Sequence, residues 1–277
     1  MKIIENTLKV GAKEPFEVLH LSDTHLTFAD ERERDNGRKV ALAKERLRYF
    51  AHAESDLREA EAYAKDNGLT IIHTGDLIDF VSAANLEAAK RFTTENDVFM
   101  AAGNHEFSLY VGEAKEDAAY RNKSLNAVQE AFTNDIRFAS RVMHGVNFVA
   151  VDNGYYLFER EQLDALKKEA EKGLPIVLMM HTPLYTPTLY DVRMEQAPGP
   201  AYLMNVPVEK MAHYTPDRFA QQLADDVTRE AYDYILSQPL IRAVIAGHLH
   251  TDAEDTLPNG VAQLVTDCRT MRRIRFE

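Results

Sequence analysis

Short apolar runs, each broken off by glycine or a polar residue, alternate along this chain with longer stretches whose apolar residues return every three or four positions. The runs at residues 16–21, 97–101, 146–151, 176–180 and 241–246, and the one that starts at Ile71 and stops at Gly75-Asp76, predict buried strands. Helical spacing predicts helices over 38–66, 83–94, 113–132, 159–172 and 216–237, with Asn67-Gly68 and Gly173 as stops. Strand, helix, strand is the signature of a parallel sheet with right-handed crossovers. Residues 2 to 10 read as an edge strand, and the tail from Asp252 as short strands around a Pro258-Asn259-Gly260 turn. No period runs through 182–215, where Pro183, Pro187, Pro198, Pro200 and Pro207 are interspersed with tyrosines, so an irregular, ordered insertion is expected there. Without a linker or an internal repeat, residues 1–277 read as one domain carrying that insertion.

The polar residues that end the strands change the picture. Asp23 and His25 follow the first buried run, Asp76 the second, Asn104 and His105 the third, His181 the run at 176–180, and His248 and His250 the last. Each group alone is also what a helix cap or a turn requires. Parallel strands, however, align their C-terminal ends, and side chains placed there converge on one crevice. Imidazoles, carboxylates and an amide oxygen, with no thiolate, suit borderline divalent ions such as Mn, Fe, Co, Ni or Zn. The two-residue spacing of Asp23 with His25, and of His248 with His250, would point both side chains to one side of an extended chain. His20 and His73, inside strands, read as core residues, and His52 and His144 as structural or exposed ones.

Composition sets bounds. Hydrophobic residues are 45% and charged residues 27% of the chain, as in ordinary globular proteins, and no apolar run nears the length of a membrane span. The formal net charge of -12 disfavours nucleic acid as a partner but leaves a small phosphorylated substrate open, because metal cations override the background locally. The single cysteine, Cys268, cannot form an internal disulfide and reads as structural. The first residues lack the apolar segment of a secretory signal, so cytoplasmic residence is the expectation.

Taken together, Asp23-Thr24-His25, Gly75-Asp76-Leu77-Ile78-Asp79, Gly103-Asn104-His105-Glu106, a lone His181 and Gly247-His248-Leu249-His250 stand in the order of a known pattern. The sequence resembles the calcineurin-like metallophosphoesterases over nearly its whole length. The resemblance implies an α/β fold, a four-layer α/β/β/α sandwich of two mixed sheets with a binuclear metal site at the C-terminal strand ends. One ion would be held by Asp23, His25, Asp76 and His250, and the other by Asp76, Asn104, His181 and His248, with Asp76 bridging. His105 matches the family's catalytic imidazole, and Asp79 and Glu106 match positions that orient neighbouring histidines. A hydroxide between the ions would attack phosphorus. Asp79 stands where purple acid phosphatases carry tyrosine, and Phe80-Val81 follows where Ser/Thr protein phosphatases carry Arg-Gly, so both of those groups are disfavoured.

The expected activity is hydrolysis of a small-molecule phosphate monoester or diester, with the insertion shaping the pocket and His213 and Tyr214 as its candidate substrate contacts. The alternatives are a nuclease, which the charge and the lack of a basic, aromatic-rich segment disfavour, and a non-catalytic scaffold, which a missing ligand would mark. Every position of the pattern is filled here.

Overall fold

The structure, a computed structural model, describes residues 1–112 and 116–277. In chain order the strands are β1 Lys2–Leu8, β2 Phe16–Leu21, β3 Thr70–His73, β4 Val98–Met100, β5 Phe138–Met143, β6 Val146–Val151, β7 Ile176–Met180, β8 Ile241–Ala246, β9 Ala253–Thr256, β10 Ala262–Val265 and β11 Thr270–Phe276. The helices are α1 Arg38–Arg46, α2 Ala53–Asn67, α3 Ala83–Glu95, α4 Ala118–Arg121, α5 Leu125–Gln129, α6 Arg160–Ala170, α7 Pro187–Gln196, α8 Pro216–Gln222 and α9 Asp226–Ser237.

Two mixed sheets result. One has the order β1-β11-β2-β3-β4, in which β2, β3 and β4 run parallel. The other has the order β5-β6-β7-β8-β10-β9, in which β6, β7, β8 and β10 run parallel. Strand alternation divides the apolar side chains into layers. Val18, Ile72 and Phe99 pack inward against Phe148, Val177, Met179 and Ile245, joining the sheets face to face. Leu19, Ile71 and Met100 pack outward against Leu57, Ala60, Ala64 and Phe92 of α2 and α3. Val149, Leu178 and Val244 do the same against Leu163, Leu166, Ala231 and Ile235 of α6 and α9. These layers are the expected α/β/β/α sandwich. Among the described residues no helix is long and apolar enough to cross a membrane.

The differences from expectation have local causes. The helix expected over 38–66 is two, because Leu47 and Phe50 do not continue its core stripe: Leu47 is exposed, and the Phe50 ring stacks on His25 with centroids 4.2 Å apart. In place of a helix over 113–132 there are α4 and α5, and the start of that range lies outside the described residues. The helix expected over 216–237 stops at Gln222 and restarts when the Asp225 carboxylate caps it, accepting the Thr228 N–H at 2.7 Å. The segment 182–215 is not irregular throughout. Pro187 occupies the first turn of α7, capped by Thr186, and a 3₁₀ turn follows at Val208–Met211. Strand β5 went unread because its half-exposed edge shows no alternation of apolar and polar residues.

Phe148, fully buried between the sheets, lies 5.2 Å from Phe276 and 6.1 Å from Phe16, centroid to centroid. Phe148→Ala is expected to cost about 3–5 kcal/mol of stability, read from denaturant unfolding midpoints.

Candidate metal centre

Strands β2, β3 and β4 of one sheet and β7 and β8 of the other deliver the candidate residues to a common end. The backbone achieves this with an uncommon conformation. Asp23, His25, Asp76, His248 and His250 all have positive φ, between 49° and 68°, and so do Tyr156 and Tyr202 beside them. The two-residue spacing therefore works through paired left-handed residues, not through extended strand as the sequence reading supposed. Ladder bonds continue through the kinks: the Asp23 N–H donates to Gly75 O at 2.9 Å and the His25 N–H to Asp76 O at 2.8 Å. At Gly75, with φ of 97°, a side chain would overlap the Gly103 backbone, and at Gly247 it would overlap Ser22 and Asp23. Both glycines are needed for loops from different strands to touch.

Each oxygen ligand candidate is pinned by one atom and left free at the other. Asp23 Oδ2 accepts the His248 N–H at 2.8 Å, while Oδ1 is buried without a hydrogen-bond partner. Asp76 Oδ1 accepts the His105 N–H at 2.9 Å, while Oδ2 lies 3.1 Å from His181 Nε2 and 3.7 Å from His25 Nε2. Asn104 Nδ2 donates to Glu116 at 3.1 Å, while Oδ1 is buried without a partner. Buried oxygens without a donor are rare in folded proteins, and here two stand at the ends of strands that meet at one crevice.

The imidazoles are arranged to complement them. The His25 Nδ1–H donates to Asp79 Oδ1 at 2.9 Å and the His181 Nδ1–H to Thr74 O at 2.8 Å, which turns both Nε2 atoms toward the crevice, where either can serve as a lone pair once deprotonated. His25 Nε2 then faces His250 Nε2 at 3.0 Å, and His181 Nε2 faces His248 Nδ1 at 2.9 Å. Nitrogens converging in this way have a cation as their natural common partner. Asp23, His25 and His250 form one group with the proximity a metal needs, Asp76, His181 and His248 form another, and His25, Asp76 and His105 form a third that overlaps the first two. The donor set fits two ions.

The charges agree. Although burial opposes protonation, the Asp76 and Asp79 carboxylates push His105 up to about 10, and burial notwithstanding Asp76 pushes His181 up to about 9. Without a cation, these imidazoles supply the positive charge the carboxylates demand, which is the competition a bound metal would reverse.

The remaining predicted residues divide. Asp79 does orient histidines: it takes His25 Nδ1–H, and its backbone carbonyl takes the His105 Nδ1–H at 2.7 Å. Glu106 does not. Its carboxylate accepts the N–H groups of Asp76, Leu77 and Gly103, each at 2.7 Å, and so locks the loop after β3 to the loop after β4. Burial and the adjacent Asp76 charge push its carboxyl up to about 7, against the pull of those N–H groups. His213 and Tyr214 serve the insertion itself: His213 Nε2 donates to Gly199 O at 2.8 Å, and Tyr214 Oη accepts the Ala201 N–H at 2.7 Å. They contact each other and no candidate ligand among the described residues. His20 and His73 are buried and bonded to Thr74 and Thr24, as core histidines.

Sequence reasoning missed four residues. Arg46 forms a two-point ion pair with Asp79, at 2.6 and 2.9 Å; although burial opposes ionisation, the hydrogen bonds from His105 and His25, and then that from Arg46, hold the carboxyl well below its usual range. Phe50 covers His25. Asn153 accepts the His181 and Thr182 N–H groups, both at 3.0 Å, and the Tyr156 hydroxyl lies 3.0 Å from His248 Nε2. The last two follow β6, the parallel strand whose end carries no acid or imidazole at ligand distance.

The family model for calcineurin-like phosphoesterases matches residues 16–252, which places this chain in that family. Among solved structures, a dimetal phosphatase from Danio rerio superimposes with a TM-score of 0.53 at 14% identity, covering 91% of this chain and 87% of that one. That likeness shows the fold. Phosphopantetheinyl hydrolase from Mycobacterium tuberculosis matches with a TM-score of 0.41 at 13% identity, over 95% of this chain and 90% of that one. GAP50, the anchor in the inner membrane complex of Plasmodium, matches with 0.43 at 12%, over 92% and 71%. Curated proteins yield no match.

Arg46→Ala leaves the buried Asp79 carboxylate short of two charged hydrogen bonds and is expected to cost about 1.5–3 kcal/mol, with partial recovery in Arg46→Lys, measured by chemical denaturation.

Proposed function

We propose that this chain is a binuclear metal-dependent hydrolase of phosphate esters acting on a small-molecule monoester or diester. The observation that carries the reading is the convergence of Asp23 Oδ1 with the facing His25 and His250 nitrogens, and of Asp76 Oδ2 with the facing His181 and His248 nitrogens, with Asn104 Oδ1 buried and unpartnered on the neighbouring strand end. Asp23, His25, Asp76 and His250 would hold one divalent ion, and Asp76, Asn104, His181 and His248 the other. When bound, two such ions supply Lewis acidity to the phosphate oxygens and a water nucleophile of lowered pKa.

The chain's own groups do the rest. His105 has Nδ1–H committed to Asp79 O, with Asp79 Oδ1 3.2 Å away, so the ring keeps one orientation and Nε2 has no protein partner among the described residues. Nε2–H is the atom that would donate a proton to the departing alkoxide, and Asp79 stabilises the ring while it is charged. Arg46 balances Asp79, so the dyad carries no excess negative charge toward an anionic substrate. The complete ligand set and the unpartnered His105 Nε2 favour an enzyme over a scaffold on the same fold.

The test is a hydrolysis panel of phosphomonoesters, phosphodiesters and cyclic nucleotides on Mn-loaded protein. Hydrolysis is expected to vanish with chelator and in Asp76→Asn; activity that survives both would sink the reading. Independently of activity, Mn at 100 times its dissociation constant is expected to raise wild-type stability by about 2.7 kcal/mol, and much less in Asp76→Asn. His105→Ala is expected to lower turnover by about 10² to 10⁴ while both ions stay bound, as counted by elemental analysis.

A further inference from the structure

The insertion brings a second group of side chains to the Asn104, His181 and His248 half of the centre, and nothing described so far uses it. The Tyr202 ring lies 5.7 Å from the His248 ring and 6.3 Å from that of Tyr156, on a residue with φ of 56°. Two guanidinium groups lie over this one ring, Arg193 of α7 at 5.7 Å and Arg218 of α8 at 5.9 Å. The arginines come from separate helices, and the tyrosine is the point at which they meet.

Their hydrogen-bond partners set them apart. Arg46, Arg121, Arg137 and Arg272, the other arginines with little exposure, each face a carboxylate. Among the described residues neither Arg193 nor Arg218 does. Arg218 Nη1 donates to Gln221 Oε1 at 2.6 Å and Arg193 Nη1 to Gln196 Oε1 at 3.4 Å, so both are positioned by neutral amides and retain their charge. Arg193 Nε is buried and has no acceptor. The arrangement is tied to the centre: the Gln221 amide donates to Glu116, whose other oxygen takes Asn104 Nδ2. Glu116, the carboxylate of this wall, is thus held by two amides and pairs with neither arginine.

Two guanidiniums with no carboxylate in direct contact, beside the candidate metal centre of a chain of net charge -12, make a place for an anion. Guanidinium forks fit carboxylate and phosphate oxygens, and the bonds are charge-assisted. A planar base stacking on Tyr202 fits less well, because guanidiniums already lie over that ring. Resting on the phosphoesterase reading, we propose that Arg193 and Arg218, set by Tyr202, form a second anion subsite, so that the preferred substrate is a phosphate ester bearing another anionic group, a carboxylate or a second phosphate.

Non-hydrolysable probes separate this from the parent reading. Mn-loaded wild type is titrated calorimetrically with ω-phosphonocarboxylates of increasing chain length and with alkylphosphonates of equal length. At the length that spans the two sites, the carboxylate is expected to tighten binding about tenfold, the scale of a charge-assisted hydrogen bond. Arg193→Gln with Arg218→Gln is expected to abolish that gain, lowering alkylphosphonate affinity by one common factor at every chain length and leaving metal content and thermal midpoint unchanged, and the two lysine variants to keep part of it. Alkylphosphonate binding with no gain at any length, or a gain that survives the double glutamine variant, overturns the subsite alone. No phosphonate binding at all, together with no hydrolysis in the panel, overturns both readings.

Discussion

Asp76 has to be half satisfied. One of its oxygens is fixed by the His105 N–H, and the other is held, fully buried, among imidazoles that cannot all neutralise it. A buried carboxylate in that state is expensive unless something defines its surroundings closely. Here that something is a second buried carboxylate, Glu106, which collects the N–H groups of Asp76, Leu77 and Gly103 and welds two loops into one surface. Bare glycines at 75 and 103 allow the weld, because any side chain at Gly75 would meet the Gly103 backbone. The remaining candidate ligands are arranged around this fixed point, each anchored to another strand's loop: His248 N–H on Asp23, His181 Nδ1–H on the Thr74 carbonyl. The centre is held by mutual bonds between loops of both sheets.

Left-handed backbone is the local cost of that arrangement. Non-glycine residues in sparsely populated regions are destabilising by about 1–3 kcal/mol each and persist only where the surroundings determine them. Five of the candidate ligands are of this kind. The three apolar layers on and between the sheets offset the cost, and a cation bound only by the folded state would add to them by mass action.

What could be read from the sequence, and what could not, follows from the range of the interactions. Strand ends were legible because a buried strand leaves a local record, an apolar run stopped by a polar residue, and the parallel order of β2, β3 and β4 makes several such ends coincide. Arg46 and Phe50 were not, since they lie on a helical period that continues past them, and only contact with Asp79 and His25 reveals the break. Tyr156 and Asn153 follow a strand whose end does carry an acid, Asp152, but that carboxylate is paired with Arg137, and the pattern of ligand motifs has no member there. The family pattern implies that Glu106 orients histidines, whereas its partners are backbone groups invisible to any side-chain pattern. Within the insertion, Tyr214 is bound to the segment's own backbone, whereas Tyr202, twelve residues earlier and without a pattern to mark it, lies beside His248.

The arginines show how one residue type is given opposite tasks by its partners. Arg46 meets a carboxylate that itself holds two imidazoles, so its charge is neutralised within the fold and its effect is geometric: Asp79 stays ionised and His25 and His105 keep their orientations. Arg193 and Arg218 meet glutamines, which can hold a guanidinium in place without cancelling it. An amide partner in place of an acid is a small change in sequence and a large one in field, because the uncompensated charge extends over about a Debye length into the adjacent crevice. The centre therefore has two unlike sides. At one, a charge pair and the Phe50 ring fix the histidines; at the other, two amide-held guanidiniums meet over the Tyr202 ring beside His248.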